Sequence, residues 1–160
     1  MTGDLWDVFR VGRVRRWAAS PDMAHVSDPV DGHGARVAKL ILALHPDPSR
    51  ALLIEALCHD DGEAGVGDLA RPAKAADPEL AVRLEKLEIA NRVKLWGEVP
   101  SITADDTRWL RLCDRLDAWM VMVSHRSDLR FRDDWKQERA ALEVMADELG
   151  CGAPVREVLL

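Results

Sequence analysis

Apolar residues recur every three or four positions along most of the chain, which is the spacing of one face of an α-helix. The segment 30–45 carries such a stripe and stops before Pro46, and a second stripe begins at Pro48 and runs to position 59. Longer helices are predicted at 78–97, 103–123 and 133–149. No segment alternates apolar and polar residues with the β-branched content of a strand. The first three stripes consist of Val37, Leu40, Ile41 and Leu44; of Leu52, Leu53, Ala56 and Leu57; and of Leu80, Leu84, Leu87, Asn91 and Leu95.

Residues at the ends of these segments favour the same assignment. Thr103 stands before a helix with Asp106 three residues later, which resembles a capping box with Asp in place of Glu. Gly150 follows the last long segment, where glycine commonly ends a helix. Three glycines between positions 62 and 67 open a loop that extends to position 77. The pattern predicts an all-α fold, a single helical bundle of five to seven helices spanning residues 1–160.

Length, composition and charge narrow the class of protein. The chain has 160 residues, of which 48% are hydrophobic and 31% charged, as in a globular domain. Its formal net charge of −6 offers no general attraction to nucleic acid or to an anionic membrane. Cys58, Cys113 and Cys151 form no C-x-x-C motif, which excludes a thiolate zinc site and fits a reducing compartment. We therefore expect a cytoplasmic protein that binds neither nucleic acid nor membrane.

Apolar residues near the C-terminus bear on self-association. Trp135 and the run Val155, Val158, Leu159 and Leu160 predict a surface for a homo-oligomer, with packing into the core as the alternative.

Ionisable residues interrupt the apolar stripes at three places. His33 lies at the start of the first stripe, His59 and Asp60 end the second, and Asp114 lies inside the helix predicted at 103–123. A polar group in such a position is costly unless it is paired or bound to a ligand. Two imidazoles and two carboxylates can hold one divalent cation and leave positions for water and substrate.

Spacing alone leaves this site open to other interpretations. Glu63 follows His59 by four positions, and it would share that face and accept a proton from an attacking water if the helix continued through Gly62. Adjacent helical residues diverge by ~100°, so His59 and Asp60 can share an ion only close to the helix axis. The alternatives are hydrogen-bonded core histidines, an ion-paired Asp114, and solvated turn residues at Glu63 and Asp68.

The order of these residues resembles a known family. His33, His59-Asp60 and Asp114 follow the H…HD…D pattern of the HD-domain metal-dependent phosphohydrolases, which are all-helical. The stretch from His59 to Glu63, followed by Gly67-Asp68-Leu69 and Pro72-Ala73-Lys74, is similar to the block of the small 5′-deoxynucleotidase and phage-type dNTP triphosphohydrolase branch. Arg16-Trp17 resembles the Arg-Trp pair of the same branch.

The resemblance implies a role for each matching residue. It implies His33, His59, Asp60 and Asp114 as metal ligands, Glu63 and Asp68 as catalytic carboxylates, Arg16 and Lys74 as phosphate ligands, and Trp17 as the residue that packs on the sugar and excludes a 2′-hydroxyl. The implied cofactor is a divalent transition metal, Co²⁺, Mn²⁺ or Zn²⁺, with Mg²⁺ as a further candidate.

The implied reaction is hydrolysis of 2′-deoxynucleoside 5′-phosphates at the P–O5′ bond. The short interval between His59 and Asp114 resembles compact members that act on dNTPs, dATP among them, and Arg71 adds a positive charge for a longer phosphate chain. We therefore expect a dNTP triphosphohydrolase that releases deoxynucleoside and triphosphate. A 5′-deoxynucleotidase acting on dNMPs is the alternative within the branch, and a non-catalytic helical interaction module is the alternative outside it.

Overall fold

The computed structural model describes residues 4–67 and 76–160, and this part of the chain is helical. It contains seven α-helices, which confirms the predicted all-α class: α1 (Leu5–Val11), α2 (Val30–Leu44), α3 (Arg50–Cys58), α4 (Pro78–Trp96), α5 (Ala104–Arg126), α6 (Asp133–Glu148) and α7 (Gly152–Val158). Two short 3₁₀ turns, Asp61–Glu63 and Ser127–Phe131, accompany them. The sequence pattern located α2 to α6 to within a few residues and missed the two short helices, because seven residues are too few for a periodic stripe.

The helices group into two compact units. The first comprises Met1–Ala35 and Leu57–Pro100, and the second comprises Arg36–Ala56 and Ser101–Leu160. Helices α2 and α3 therefore contribute residues to both.

In the first unit, the chain folds back before α2. The backbone amides of Arg16 and Val30 donate to the carbonyls of Asp28 and Val14, at 2.9 Å each, and Arg15 and Pro29 form an isolated β-bridge. Met23 and Val26, which belong to the loop between these paired segments, are buried. This pairing brings the segment that carries Arg16 and Trp17 to the start of α2.

In the second unit, α5 is the central helix. It packs against α6 and against the 3₁₀ turn Ser127–Phe131. Its buried face carries large side chains, and the Trp119 indole donates to the Val158 carbonyl at 3.2 Å and meets the Trp135 ring edge-on. The buried residues of this unit on α5, α6 and α7, and directly after α7, include Leu112, Leu116, Met122, Leu142, Ala146, Val155 and Leu159. Val155 and Leu159 thus belong to the core, whereas Val158 and Leu160 are exposed.

The predicted helix ends are confirmed in detail. Thr103 and Asp106 form a reciprocal capping box, with distances of 3.1 and 3.0 Å. A further cap, which was not identified from the sequence, is formed by Asp77, which accepts from the Leu80 amide at 3.0 Å at the start of α4. Gly150 has a φ of 75°, the left-handed conformation that glycine adopts without strain after a helix.

Two predicted stripes are wrong in part. On α3 only Leu52 and Ala56 are buried, and Leu57 is half exposed, because this nine-residue helix buries only a narrow face. On α4 Leu95 is buried, but Leu80 and Leu87 are exposed because α4 packs on the Asp61–Glu63 turn mainly near its C-terminal end. Within the described ranges, no helix combines the length and apolar character that crossing a membrane requires.

Candidate metal centre

His33 is fixed in the first turn of α2. Pro29 stands before the helix, and its carbonyl accepts from the His33 amide at 3.1 Å. The imidazole is fully buried. An imidazole without solvent contact needs a polar partner, and its partners lie where α3 ends.

His59 and Asp60 lie just beyond the last residue of α3, Cys58. Asp60 has left the helix, with φ −95° and ψ 0°, and its carbonyl accepts from the Glu63 amide at 3.0 Å as the 3₁₀ turn begins. The helix does not continue through Gly62, so the condition under which Glu63 would share the helical face of His59 is not met. Further along, Gly65 and Gly67 have φ of 85° and 80°, and these left-handed conformations prevent a helix from resuming after the turn.

Ending the helix there allows both side chains to turn toward His33. The Nε2 atoms of His33 and His59 lie 3.2 Å apart. Asp60 presents one carboxylate oxygen to each imidazole, Oδ2 at 3.4 Å from His33 Nε2 and Oδ1 at 3.4 Å from His59 Nε2. The divergence of ~100° expected for adjacent helical residues does not apply, because neither residue is within the helix.

The spacing of these donors fits a single divalent cation. Two donors that bind one ion through bonds of about 2.1 Å at angles of about 90–110° lie about 3.0–3.4 Å apart. The two nitrogens, 3.2 Å apart, fall in this range, and so does each nitrogen with the nearer Asp60 oxygen, at 3.4 Å. With one ligand atom taken from each residue, all three lie within 4.8 Å of one another. Two histidine nitrogens with one carboxylate is also a donor set that catalytic zinc sites use.

Helix α4 holds the turn that carries His59 and Asp60. The Asn91 side-chain amide donates to the carbonyls of Gly62 and Ala64, at 2.9 and 3.0 Å. The Trp96 indole donates to Asp61 Oδ2 at 2.7 Å. Gly62 lies so close to α4 that an added Cβ would meet the Glu88 carbonyl oxygen at 2.2 Å.

These supporting residues were not identified from the sequence. The available signal was Asn91, a polar residue on an otherwise apolar stripe. Its amide hydrogens serve carbonyls that no helix or sheet satisfies.

Two further carboxylates lie on the 3₁₀ turn. Asp61 and Glu63 are both buried. Burial raises the pKa of Asp61 above its usual value, although the hydrogen bond from Trp96 and the charge of Arg92 act in the opposite direction. The interpretation of Glu63 as a solvated turn residue is therefore wrong, because this residue is buried.

Arg16 and Trp17 belong to the segment of the first unit that pairs with the residues just before α2. Both contact Asp28. The Trp17 indole donates to Asp28 Oδ2 at 3.1 Å, and Arg16 Nη1 lies 3.4 Å from the same oxygen. The Arg16 guanidinium also lies over the Trp17 ring, 5.3 Å from its centroid. Trp17 has a φ of 66°, a backbone conformation that residues other than glycine rarely adopt.

The remaining predicted residues are placed differently. Asp68, Arg71 and Lys74 lie outside the described residues. Asp114 is half-buried on α5 in the second unit, between Cys113 and Arg115, and its role as a ligand stays a prediction. Burial raises the pKa of the neighbouring Cys113 thiol to about 12.

No protein family model, curated protein or solved structure matches this chain.

Proposed function

We propose that this chain is a metal-dependent phosphohydrolase of the HD type that acts on 2′-deoxynucleoside 5′-phosphates. The observation that carries the proposal is the convergence of His33, His59 and Asp60 at distances that suit one cation. The same three residues open the H…HD…D pattern in the sequence. Two imidazoles and a carboxylate from the ends of two helices have few other reasons to meet where one imidazole is fully buried.

Asp114 is the fourth ligand of the proposed site. The sequence pattern supports this role, because Asp114 follows His33 and His59-Asp60 in the order H…HD…D.

A bound cation at such a site polarises a phosphoryl oxygen and makes water a better nucleophile. The chain's own residues supply the rest. Glu63 accepts a proton from the attacking water, and Arg16 offsets negative charge on the phosphate. Asp68, Lys74 and Arg71 carry the roles that the resemblance implies, as a second carboxylate and as further phosphate ligands. The P–O bond to water forms, the P–O5′ bond breaks, and O5′ leaves with a proton.

Trp17 supplies the preference for a deoxyribose. A rigid indole packed on the sugar leaves neither space nor a hydrogen-bond partner for a 2′-hydroxyl. We propose a dNTP as the substrate and deoxynucleoside and triphosphate as the products, in the cytoplasm. The short interval between His59 and Asp114 supports this choice over a dNMP.

A product assay tests the proposal. Purified protein is supplied with Mn²⁺, Co²⁺, Zn²⁺ or Mg²⁺ and incubated with dNMPs, dNTPs and NTPs, and the phosphate products are separated by ion chromatography. We expect triphosphate release from dNTPs. Orthophosphate release from dNMPs would assign a 5′-deoxynucleotidase instead. Protein that holds no transition metal and shows no stimulation by Mn²⁺ or Co²⁺ would overturn the enzyme and favour the non-catalytic module.

Variants of matched chemistry make the assay specific to the site. His59→Asn should lower metal affinity by more than about 100-fold, because even the outer partners of ligands typically contribute 10–100-fold. His25→Asn alters an exposed histidine of the same unit and should change neither metal content nor turnover. Equal metal content in the two variants would remove His59 from the site.

A further inference from the structure

The loop that precedes α2 is organised around one buried carboxylate, Asp28. Its side chain is almost fully buried. Asp28 Oδ2 accepts from the Trp17 indole at 3.1 Å and lies 3.4 Å from Arg16 Nη1, while the Asp28 carbonyl accepts from the Arg16 amide at 2.9 Å. A single residue thus contacts both members of the Arg16-Trp17 pair.

The conformation of Trp17 shows that this arrangement is held against a cost. A φ of 66° in a residue with a Cβ is strained and persists only where surrounding contacts impose it. The indole hydrogen bond to Asp28 and the guanidinium of Arg16 over the ring are two such contacts. The backbone hydrogen bond from Ser20 to the Trp17 carbonyl, at 2.8 Å, closes the turn.

The burial of Arg16 also indicates that Asp28 holds this side chain in place. The Arg16 side chain is only 11% exposed and its partner Asp28 only 5%, so neither group is an ordinary surface charge. A guanidinium held by a buried carboxylate keeps one orientation, which lowers the entropic cost of binding a second anion with its other face.

We infer that Asp28 is a positioning residue that sets Arg16 and Trp17 in the orientation needed to recognise the phosphate and the deoxyribose. The inference rests on the proposed function, and it assigns the choice between deoxyribose and ribose to a residue that touches neither. Asp28 would therefore have two effects that can be tested separately. Its hydrogen bond with Trp17 would orient the indole for the sugar, and its charge would orient Arg16 for the phosphate.

Two substitutions separate these effects. Asp28→Asn keeps an oxygen that can accept from the Trp17 indole but removes the charge beside Arg16. It should change KM for the nucleotide severalfold and leave the ratio of dNTP to NTP turnover intact. Asp28→Ala removes both contacts and should lower that ratio at least tenfold. Asp22→Asn, in the same loop, is the matched control and should alter neither quantity.

A spectroscopic readout makes the test independent of activity. The Trp17 indole N–H signal is assigned in ¹H–¹⁵N spectra by its absence from Trp17→Phe. It should move in Asp28→Ala, stay near its original position in Asp28→Asn, and stay unchanged in Asp22→Asn. An unmoved signal in Asp28→Ala would overturn the inference. So would a moved signal with an unchanged dNTP to NTP ratio, which would make the contact structural only.

The failure of the proposed function has a different signature. Wild-type protein that hydrolyses no deoxynucleotide with any of the four ions would refute the phosphohydrolase and, with it, the substrate role given to Asp28. A wild type that is active and selective, with selectivity unaltered in Asp28→Ala, would refute the inference alone.

Discussion

The side-chain amide of Asn91 donates a hydrogen bond to the carbonyl oxygen of Gly62 at 2.9 Å, and thereby ties α4 to the turn that follows His59 and Asp60. A second hydrogen bond from the same nitrogen reaches the Ala64 carbonyl at 3.0 Å. The turn is short and contains glycine, so its shape depends on partners outside it. The position of the proposed metal ligands is therefore controlled in part by a residue about thirty positions further along the chain.

Replacing Asn91 should weaken both the fold and the site. Asn91→Leu keeps a similar volume but leaves two carbonyls without their donor, which should lower the free energy of unfolding by about 1–3 kcal/mol. We expect Mn²⁺ affinity, measured by calorimetry, to fall about 10-fold, as for other residues that orient ligands. Arg83→Leu, at an exposed position of the same helix, is the control. Equal Mn²⁺ affinity in the two variants would contradict the role of Asn91.

Gly62 should tolerate no side chain. Gly62→Ala would bring a Cβ to 2.2 Å from the Glu88 carbonyl oxygen, so either the turn or α4 must shift. We expect a loss of about 1–3 kcal/mol in urea denaturation, the usual range for overpacking, with a loss of metal binding. Gly65→Ala is the control, because an added Cβ there meets nothing within 4 Å and only the φ of 85° is strained. Its cost should be about 1–2 kcal/mol, with metal affinity preserved. Weaker metal binding in Gly65→Ala than in Gly62→Ala would refute this account.

The ion pair between Arg36 and Asp117 should contribute more to the free energy of unfolding than a surface ion pair does. The Arg36 guanidinium contacts both oxygens of Asp117, at 2.6 and 3.1 Å, and the carboxylate is 2% exposed while Arg36 is 38% exposed. Asp117→Ala should lower the free energy of unfolding by about 1–3 kcal/mol, less than for a fully buried pair because water still reaches the guanidinium.

The pair of Arg139 and Glu143 on α6 provides the comparison for Asp117, because its carboxylate side chain is 37% exposed. Glu143→Ala should change the free energy of unfolding by less than about 1 kcal/mol. Equal losses in the two variants, measured in urea, would show that burial of the carboxylate makes no difference.

The cysteines should differ in reactivity. Burial raises the pKa of Cys113 to about 12 and also raises the pKa of Cys151, so both thiols are protonated at pH 8. In the folded protein, iodoacetamide should modify them far more slowly than in urea, as followed by mass spectrometry. Modification of Cys113 at the rate seen in urea would contradict its placement in the core.

Features of the fold that depend on local interactions, such as the helix ends, could be predicted from the sequence. Thr103 and Asp106 are three residues apart, and Gly150 directly follows its helix, so short-range rules located both ends. The direction of His59 and Asp60 could not be predicted, because it depends on where α3 stops. The contacts of Asn91 with Gly62 and of Trp96 with Asp61 join residues 29 and 35 positions apart, and no periodic pattern encodes such pairs.

Solvent exposure of the side chains increases across the three proposed ligands. His33 is fully buried, His59 is 13% exposed and Asp60 is 23% exposed. Bulk water therefore reaches this point from the carboxylate side. An ion held there can exchange through that opening while the helices stay folded, so a chelator should strip the protein without denaturing it. One preparation can then be refilled with different ions in turn, and each cation's effect on catalysis compared on identical molecules.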